Sequence, residues 1–245
     1  MQQVSAIGIT YNENSMSATA SGLARVSRFY EAPVGKKVVM AVTGLILVGF
    51  VLGHMAGNLQ IYLPVGENGV YAIDKYGALL HTSEELLWGV RLALLASVGL
   101  HIWAAIQLAS AANAARPIGY IKRTPLKGTY ASRTMYWSGP IIGAFIVYHL
   151  LHFTTGTVHP DYKYLAVHDN VVKGFSVWYV SAFYIVAMGM LCIHLYHGVW
   201  SMFQSLGFNH PRYTPRLKFG AKAFAFLIAA GNISIPLAVL SGLVK

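Results

Sequence analysis

Five apolar runs, each long enough to cross a hydrocarbon core of about 30 Å as a helix, constrain this chain more than any other feature. They extend from about Val38 to Leu63, Leu86 to Ala112, Met135 to Val158, Phe175 to Leu206 and Phe219 to Val244. Lipid offers no partner for a bare backbone amide, so each run must satisfy its own hydrogen bonds as a helix. The expected fold is an all-α integral membrane bundle of five transmembrane helices, one domain over residues 34–245, behind a polar tail over residues 1–33. That tail is Ser/Ala/Gly-rich, has no apolar stretch, and does not read as a cleaved signal peptide. Pro140 and Pro236 sit inside two of the runs, which membrane helices tolerate far better than soluble ones.

Charge agrees with lipid as the solvent. Only 11% of residues are charged, against about 25% in soluble domains. The net charge of +10 would suit a nucleic-acid binder, but the basic residues sort by side of the bundle. Arg25, Arg28, Lys36 and Lys37 precede the first run; Arg116, Lys122, Arg123, Lys127 and Arg133 fall between the second and third; Arg212, Arg216, Lys218 and Lys222 fall between the fourth and fifth. The opposite side carries Lys75, Lys163, Lys173 and Lys245, with Glu67, Asp74, Glu84, Glu85, Asp161 and Asp169. Basic loops stay cytoplasmic, so the expectation is a multi-pass protein of the inner (cytoplasmic) membrane, N-terminus cytoplasmic and C-terminus outside, without a nucleic-acid partner. The single cysteine, Cys192, excludes an intrachain disulfide and any cysteine-based zinc or iron–sulfur site built from this chain alone. A redox centre here must use histidine or belong to a partner.

Histidine is the conspicuous polar residue of the runs. His54, His101, His149, His152, His194 and His197 lie within them, while His81, His159, His168 and His210 lie near loops. An ionisable group in a membrane span is a functional candidate by default, and four spans each present one. Depth orders them. His54 precedes Pro64 by 10 residues, roughly 15 Å, and His149 precedes Asp161 by 12, roughly 18 Å. His101 follows Glu85 by 16 residues, roughly 24 Å, and His194 follows Lys173 by 21, roughly 32 Å. An outer pair and an inner pair result, as two stacked bis-histidine haems would require. A low-dielectric interior keeps imidazole neutral, the form that binds haem iron. Gly53, Gly57, Gly99 and Gly198 beside the candidates would admit a flat macrocycle or simply let helices pack closely. His149/His152 and His194/His197 are spaced i, i+3, so one of each binds iron and the other is left for a propionate, a quinone or a backbone carbonyl.

The segment His194-Leu-Tyr-His-Gly-Val-Trp-Ser, running on to Gly207, resembles the fourth membrane helix of the di-haem cytochrome b anchor of succinate:quinone oxidoreductase. His54 in Gly-His-Met-Ala-Gly-Asn-Leu, His101 in Gly-Leu-His-Ile-Trp and His149 in Tyr-His-Leu-Leu-His-Phe-Thr fall at that family's other ligand positions. The resemblance covers about Val34 to Leu243, and is specific in the four histidines and the Gly-Val-Trp-Ser run. It implies a non-dehydrogenase subunit of a succinate dehydrogenase or fumarate reductase, with His101 and His194 on a proximal haem b and His54 and His149 on a distal one. It chooses His149 over His152 by spacing. It further implies a flavoprotein subunit carrying FAD, an iron–sulfur subunit with its clusters, menaquinone as the bound substrate, and room for a higher oligomer of the complex. Some fumarate reductases of the family carry a glutamate two residues before the fourth-helix ligand, as part of a proton path. Cys192 stands there in this chain, which adds weight to the succinate-oxidising direction. Glu84 and Glu85 offer another route for protons near the distal haem, or are solvated interface charges; Arg28, Lys36 and Lys37 suit haem propionates, the iron–sulfur partner, or topology alone.

Two other readings stand beside this one. Another di-haem cytochrome b, of a hydrogenase, a formate dehydrogenase or an ascorbate-type reductase, would also place histidines on four helices, but the Gly-Val-Trp-Ser context fits it less well. A haem-free, histidine-lined transporter would need carboxylates or broken helices at mid-depth. No acidic residue lies in the middle of any of the five runs.

Overall fold

The computed structural model describes residues 29–115 and 130–245, with residues 130–132 by backbone alone. All regular structure in them is helical. Helix α1 (Pro33–Asn58) continues through a 3-10 turn, Leu59–Tyr62; a short α2 (Ala72–Leu80) follows, then α3 (Glu84–Ala114). Helix α4 (Tyr130–His149) closes in a π-helical turn, Leu150–Thr154; α5 (Val167–Ser176) is short, and α6 (Trp178–Ser205) and α7 (Thr214–Leu240) complete the chain.

The ends of these helices have local causes. Pro33 starts α1 with the φ a first turn needs and no wasted amide. Ser83 caps α3 by accepting from the Leu86 amide at 3.3 Å, and Glu84 and Glu85 sit favourably at the positive end of the helix dipole. Helix α6 stops at Gly207, whose φ of 91° only glycine adopts without cost. There the Phe208 amide donates to Phe203 O at 2.9 Å, the Gly207 amide donates to Gln204 O at 3.1 Å, and the Phe203 and Phe208 rings meet. Gly242, with φ 74°, ends α7 by the same arrangement: Leu243 donates to Ala238 O and Gly242 to Val239 O.

Helices α1 (extended to Tyr62), α3, α6 and α7 are each long and apolar enough to cross a membrane. Their outward surfaces are apolar, with Trp88, Leu92 and Leu95 of α3, Val186 of α6 and Phe226 and Leu227 of α7 all exposed. In water such a surface would aggregate; in lipid it costs nothing. Residue contacts fix the directions. Thr43 of α1 meets His101, Ser138 of α4 meets His194, and further along both helices His54 meets His149. Helices α1 and α4 therefore run the same way. Helix α6 opposes α4, since Ser138 meets His194 while His149 meets Tyr184.

Two expected spans differ from what forms. The third was expected over Met135 to Val158, but α4 and its π turn end at Thr154, and among the described residues this helix is not one of the four that satisfy length and apolarity. The fourth was expected to be continuous from Phe175 to Leu206. Instead the chain breaks at Val177, which is extended (φ −81°, ψ 106°), and Phe175 and Ser176 belong to α5. The Ser181 hydroxyl closes the break by donating to Phe175 O at 2.6 Å.

Helices α2 and α5 cap one end of the bundle. The His168 amide donates to Asp74 Oδ1 at 2.8 Å, the His168 ring stacks on Tyr71 with centres 3.5 Å apart, and Val167 closes on Gly77. Asn170 clamps the preceding loop, accepting from the Lys163 amide at 2.9 Å and donating to Lys163 O at 2.7 Å. Under this cap lies the main buried cluster, including Ile61, Ile73, Phe145, Phe175, Tyr184, Ile235 and Val239; a second, around Met55, Leu195, Ala225 and Ile228, joins α1, α6 and α7. Glu67, Asp74, Glu84, Glu85, Asp161 and Asp169 all fall at the capped end, while Lys36, Lys37, Arg133, Arg212, Arg216 and Lys218 fall at the other. Arg25, Arg28, Arg116, Lys122, Arg123 and Lys127 lie outside the described residues.

Candidate functional site

Four helices contribute one histidine each, and these lie face to face in two pairs. His54 of α1 and His149 of α4 have ring centres 5.7 Å apart at 86°, near the capped end. His101 of α3 and His194 of α6 have ring centres 6.3 Å apart at 58°, deeper toward the basic end. All four are half-buried.

The separation of the two layers can be measured on separate helices. Thr43, at the level of His101, precedes His54 by 11 residues on α1, roughly 16 Å at 1.5 Å per residue. Ser138, at the level of His194, precedes His149 by 11 residues on α4, the same rise. Tyr184, at the level of His149, precedes His194 by 10 residues on α6, roughly 15 Å. The layers are stacked along the bundle axis about 15 Å apart.

Hydroxyl groups hold three of the four rings, each through Nδ1 and each from another helix. Thr43 Oγ1 lies 3.2 Å from His101 Nδ1. The Thr43 hydroxyl donates to Val39 O at 2.8 Å, so the proton in the His101 contact comes from the ring. In this arrangement the matching His101 tautomer is the one with its proton on Nδ1, which would leave Nε2 as a bare lone pair. Ser138 Oγ, fully buried, lies 3.4 Å from His194 Nδ1, and Tyr184 OH lies 3.4 Å from His149 Nδ1. Ligating histidines are oriented in this way, with the second ring nitrogen engaged so that the first faces the metal.

Two imidazoles on opposite sides of one iron, each bonded at about 2 Å, have ring centres roughly 6 Å apart. Both pairs have that spacing. Among the described residues no three His, Cys, Asp or Glu side chains gather as they would around a bare ion, so the donors come in twos. Such a set suits a metal that brings its remaining ligands with it, as haem does. A side chain added at Gly53, Gly99 or Gly198 would meet nothing within 4 Å. Gly57 differs: a Cβ there would come within 2.5 Å of the Tyr76 ring, so this glycine admits α2 and not a macrocycle.

His152 and His197 occupy other surroundings. His152 is 1% exposed and caged by Phe153, Tyr148 and His159, with ring centres 4.1, 5.5 and 4.9 Å away. Its Cε1 and Nε2 face Gly174, where a Cβ would come within 2.9 and 3.2 Å, leaving no space for a macrocycle on that side. His197 lies across from Trp200, their ring centres 5.6 Å apart. Among the described residues His197 Nδ1 and Trp200 Nε1 are shielded from solvent without a hydrogen-bond partner, and Lys218 Nζ lies 4.6 Å from the Trp200 ring centre.

Sequence reasoning passed over Thr43, Ser138 and Tyr184, since a hydroxyl in an apolar run usually bonds its own helix. The available signal was their register with the histidines, one layer spacing away along the same helix. It also left His159 and His168 near loops as needing no explanation, yet both are buried, at 5% and 3% exposure, His168 within α5. His159 donates from Nε2 to Asn170 O at 2.9 Å and accepts the Asp161 amide at Nδ1, 3.3 Å away. No protein-family model, curated protein or solved structure matches this chain.

Proposed function

We propose that this chain is the di-haem cytochrome b anchor of a succinate:menaquinone oxidoreductase, passing electrons between an iron–sulfur subunit and membrane quinone. The observation that carries the reading is the two-by-two pairing of His54 with His149 and of His101 with His194, at two depths of an apolar bundle. The Gly-Val-Trp-Ser run after His197 supports this branch over other di-haem cytochromes.

Bound haem supplies reversible one-electron chemistry, which suits a link between single-electron iron–sulfur clusters and a two-electron quinone. The chain's own residues do the rest. His101 and His194 would hold the inner haem and His54 and His149 the outer, with Thr43, Ser138 and Tyr184 fixing ring orientation. The apolar helices exclude water from both layers. The basic end would face the cytoplasm and the flavoprotein and iron–sulfur subunits, by the positive-inside rule. In this orientation the capped end, with its carboxylates, faces outside.

The test is a dithionite-reduced minus air-oxidised spectrum of the purified chain with pyridine haemochrome quantification. Two b haems per chain, reducible by succinate once the partner subunits are present, are expected. Two haems that succinate cannot reduce would move the function to another di-haem cytochrome. No haem in a freshly extracted sample would sink the reading and leave the histidine-lined transporter in front.

A further inference from the structure

Tyr184 joins the two histidines of α4 and its closing turn. Its side chain is 5% exposed, and its hydroxyl lies 3.0 Å from His152 Nδ1 and 3.4 Å from His149 Nδ1. A phenol has one proton to give and lone pairs to receive with. Both neighbours approach through Nδ1, so the single phenolic proton can serve at most one of them, and a bond to the other needs that ring's own Nδ1–H.

The direction matters, because it decides which nitrogen of His149 carries a proton. If the phenol donates to His152, it accepts Nδ1–H from His149, and His149 Nε2 is a bare lone pair. In the opposite order His149 carries its proton on Nε2 and cannot ligate iron. His152 makes the shorter contact, and its ring is immobilised by the aromatic cage and by the close approach of Gly174. The cage is itself anchored: His159, stacked on His152, is held at both nitrogens by the capping loop and α5.

Resting on the assignment of His54 and His149 as haem ligands, we propose that Tyr184 is a positioning residue for the outer haem. Its proton is committed to the caged His152, and its oxygen holds His149 in the Nδ1–H form with Nε2 directed at the iron. His152 is then a lock on the ligand and no ligand itself, and it lies in the π turn that closes α4. Such turns are frequent at functional sites.

The experiment uses the full chain with its haems and reads low-temperature electron paramagnetic resonance and a haem-resolved redox titration. The outer haem is identified as the one missing from His54→Ala. Tyr184→Phe keeps the ring and removes the hydroxyl. It is expected to shift the ferric low-spin signal of the outer haem and change its ferric-to-ferrous ratio at fixed potential at least threefold, leaving the inner haem as in the wild type. His152→Asn, which keeps an acceptor at the Nδ1 position, is expected to retain the wild-type signal, while His152→Leu shifts it as Tyr184→Phe does. This pair serves as the test if Tyr184→Phe does not fold. Wild-type signals from both haems in Tyr184→Phe, or equal effects of His152→Asn and His152→Leu, would overturn the proposal while leaving the di-haem reading intact. A wild-type chain without haem would overturn both.

Discussion

At the scale of single residues, the proposed haem ligation depends on which nitrogen of each imidazole is engaged. Under the proposed di-haem assignment, alanine in place of His101 or His194 is expected to remove the same haem, and alanine in place of His54 or His149 the other. Pyridine haemochrome should fall from two haems to one in all four variants; if His101→Ala and His194→Ala removed spectrally different haems, the pairing would be wrong. Thr43→Val keeps the shape of the side chain and deletes the acceptor for His101 Nδ1–H. Loss of such a supporting bond typically weakens a metal site about 10-fold to 100-fold. The expected outcome is preferential loss of the inner haem during dilution or dialysis, followed optically. Of the side chains involved, the histidines were legible in the sequence because an ionisable group in a span stands out. The hydroxyls were not, because serine, threonine and tyrosine are ordinary residues of membrane helices whose partners lie 35 to 58 positions away.

At the scale of elements, the break at Val177 separates a capping helix from a spanning one, and Ser181 closes it. Ser181→Ala leaves the Phe175 carbonyl without that donor, at a cost of about 1 kcal/mol. The expected readout is a lower thermal midpoint and faster amide exchange in α5. The cap also carries a pH dependence. Burial holds the His168 imidazole below its usual range, while the Asp74 and Asp169 carboxylates pull the other way without overcoming it. The folded state thus binds this proton less readily than the unfolded one. His168 contributes stability in full above about pH 6.5, and that contribution is lost as pH falls below it. Protection of the amides of α2 and α5 against exchange, relative to the intrinsic rate at each pH, is expected to fall as pH drops from 7.5 to 5. His168→Gln should flatten the dependence; a variant with the wild-type slope would assign it to another group. The sequence suggested one long helix where two form, because Val177 is as apolar as its neighbours and nothing local marks the bend.

At the scale of the whole molecule, the ends of the bundle differ in charge, and the difference predicts how it sits in a membrane. In a Cys192→Ser background, a cysteine at Lys163 is expected to react with an impermeant maleimide in intact cells. A cysteine at Arg212 is expected to react only after lysis. The reverse pattern would invert the topology and move the proposed partner subunits to the other face.

Periodicity and length alone determined that the chain is helical and that several helices suit a membrane, because lipid leaves a backbone no other way to satisfy its amides. Counting from the loops also ranked the histidines by depth, since helical rise is constant. What the chain's one-dimensional pattern leaves open is everything that depends on neighbours. Tertiary structure alone decided that Gly57 makes room for Tyr76, that His152 sits in an aromatic cage, and that His159 and His168 are buried under the cap. It also decided which hydroxyl meets which ring. Those outcomes depend on how α1, α3, α4 and α6 are rotated against one another, and apolar sequence that faces lipid and protein alike carries little record of that rotation.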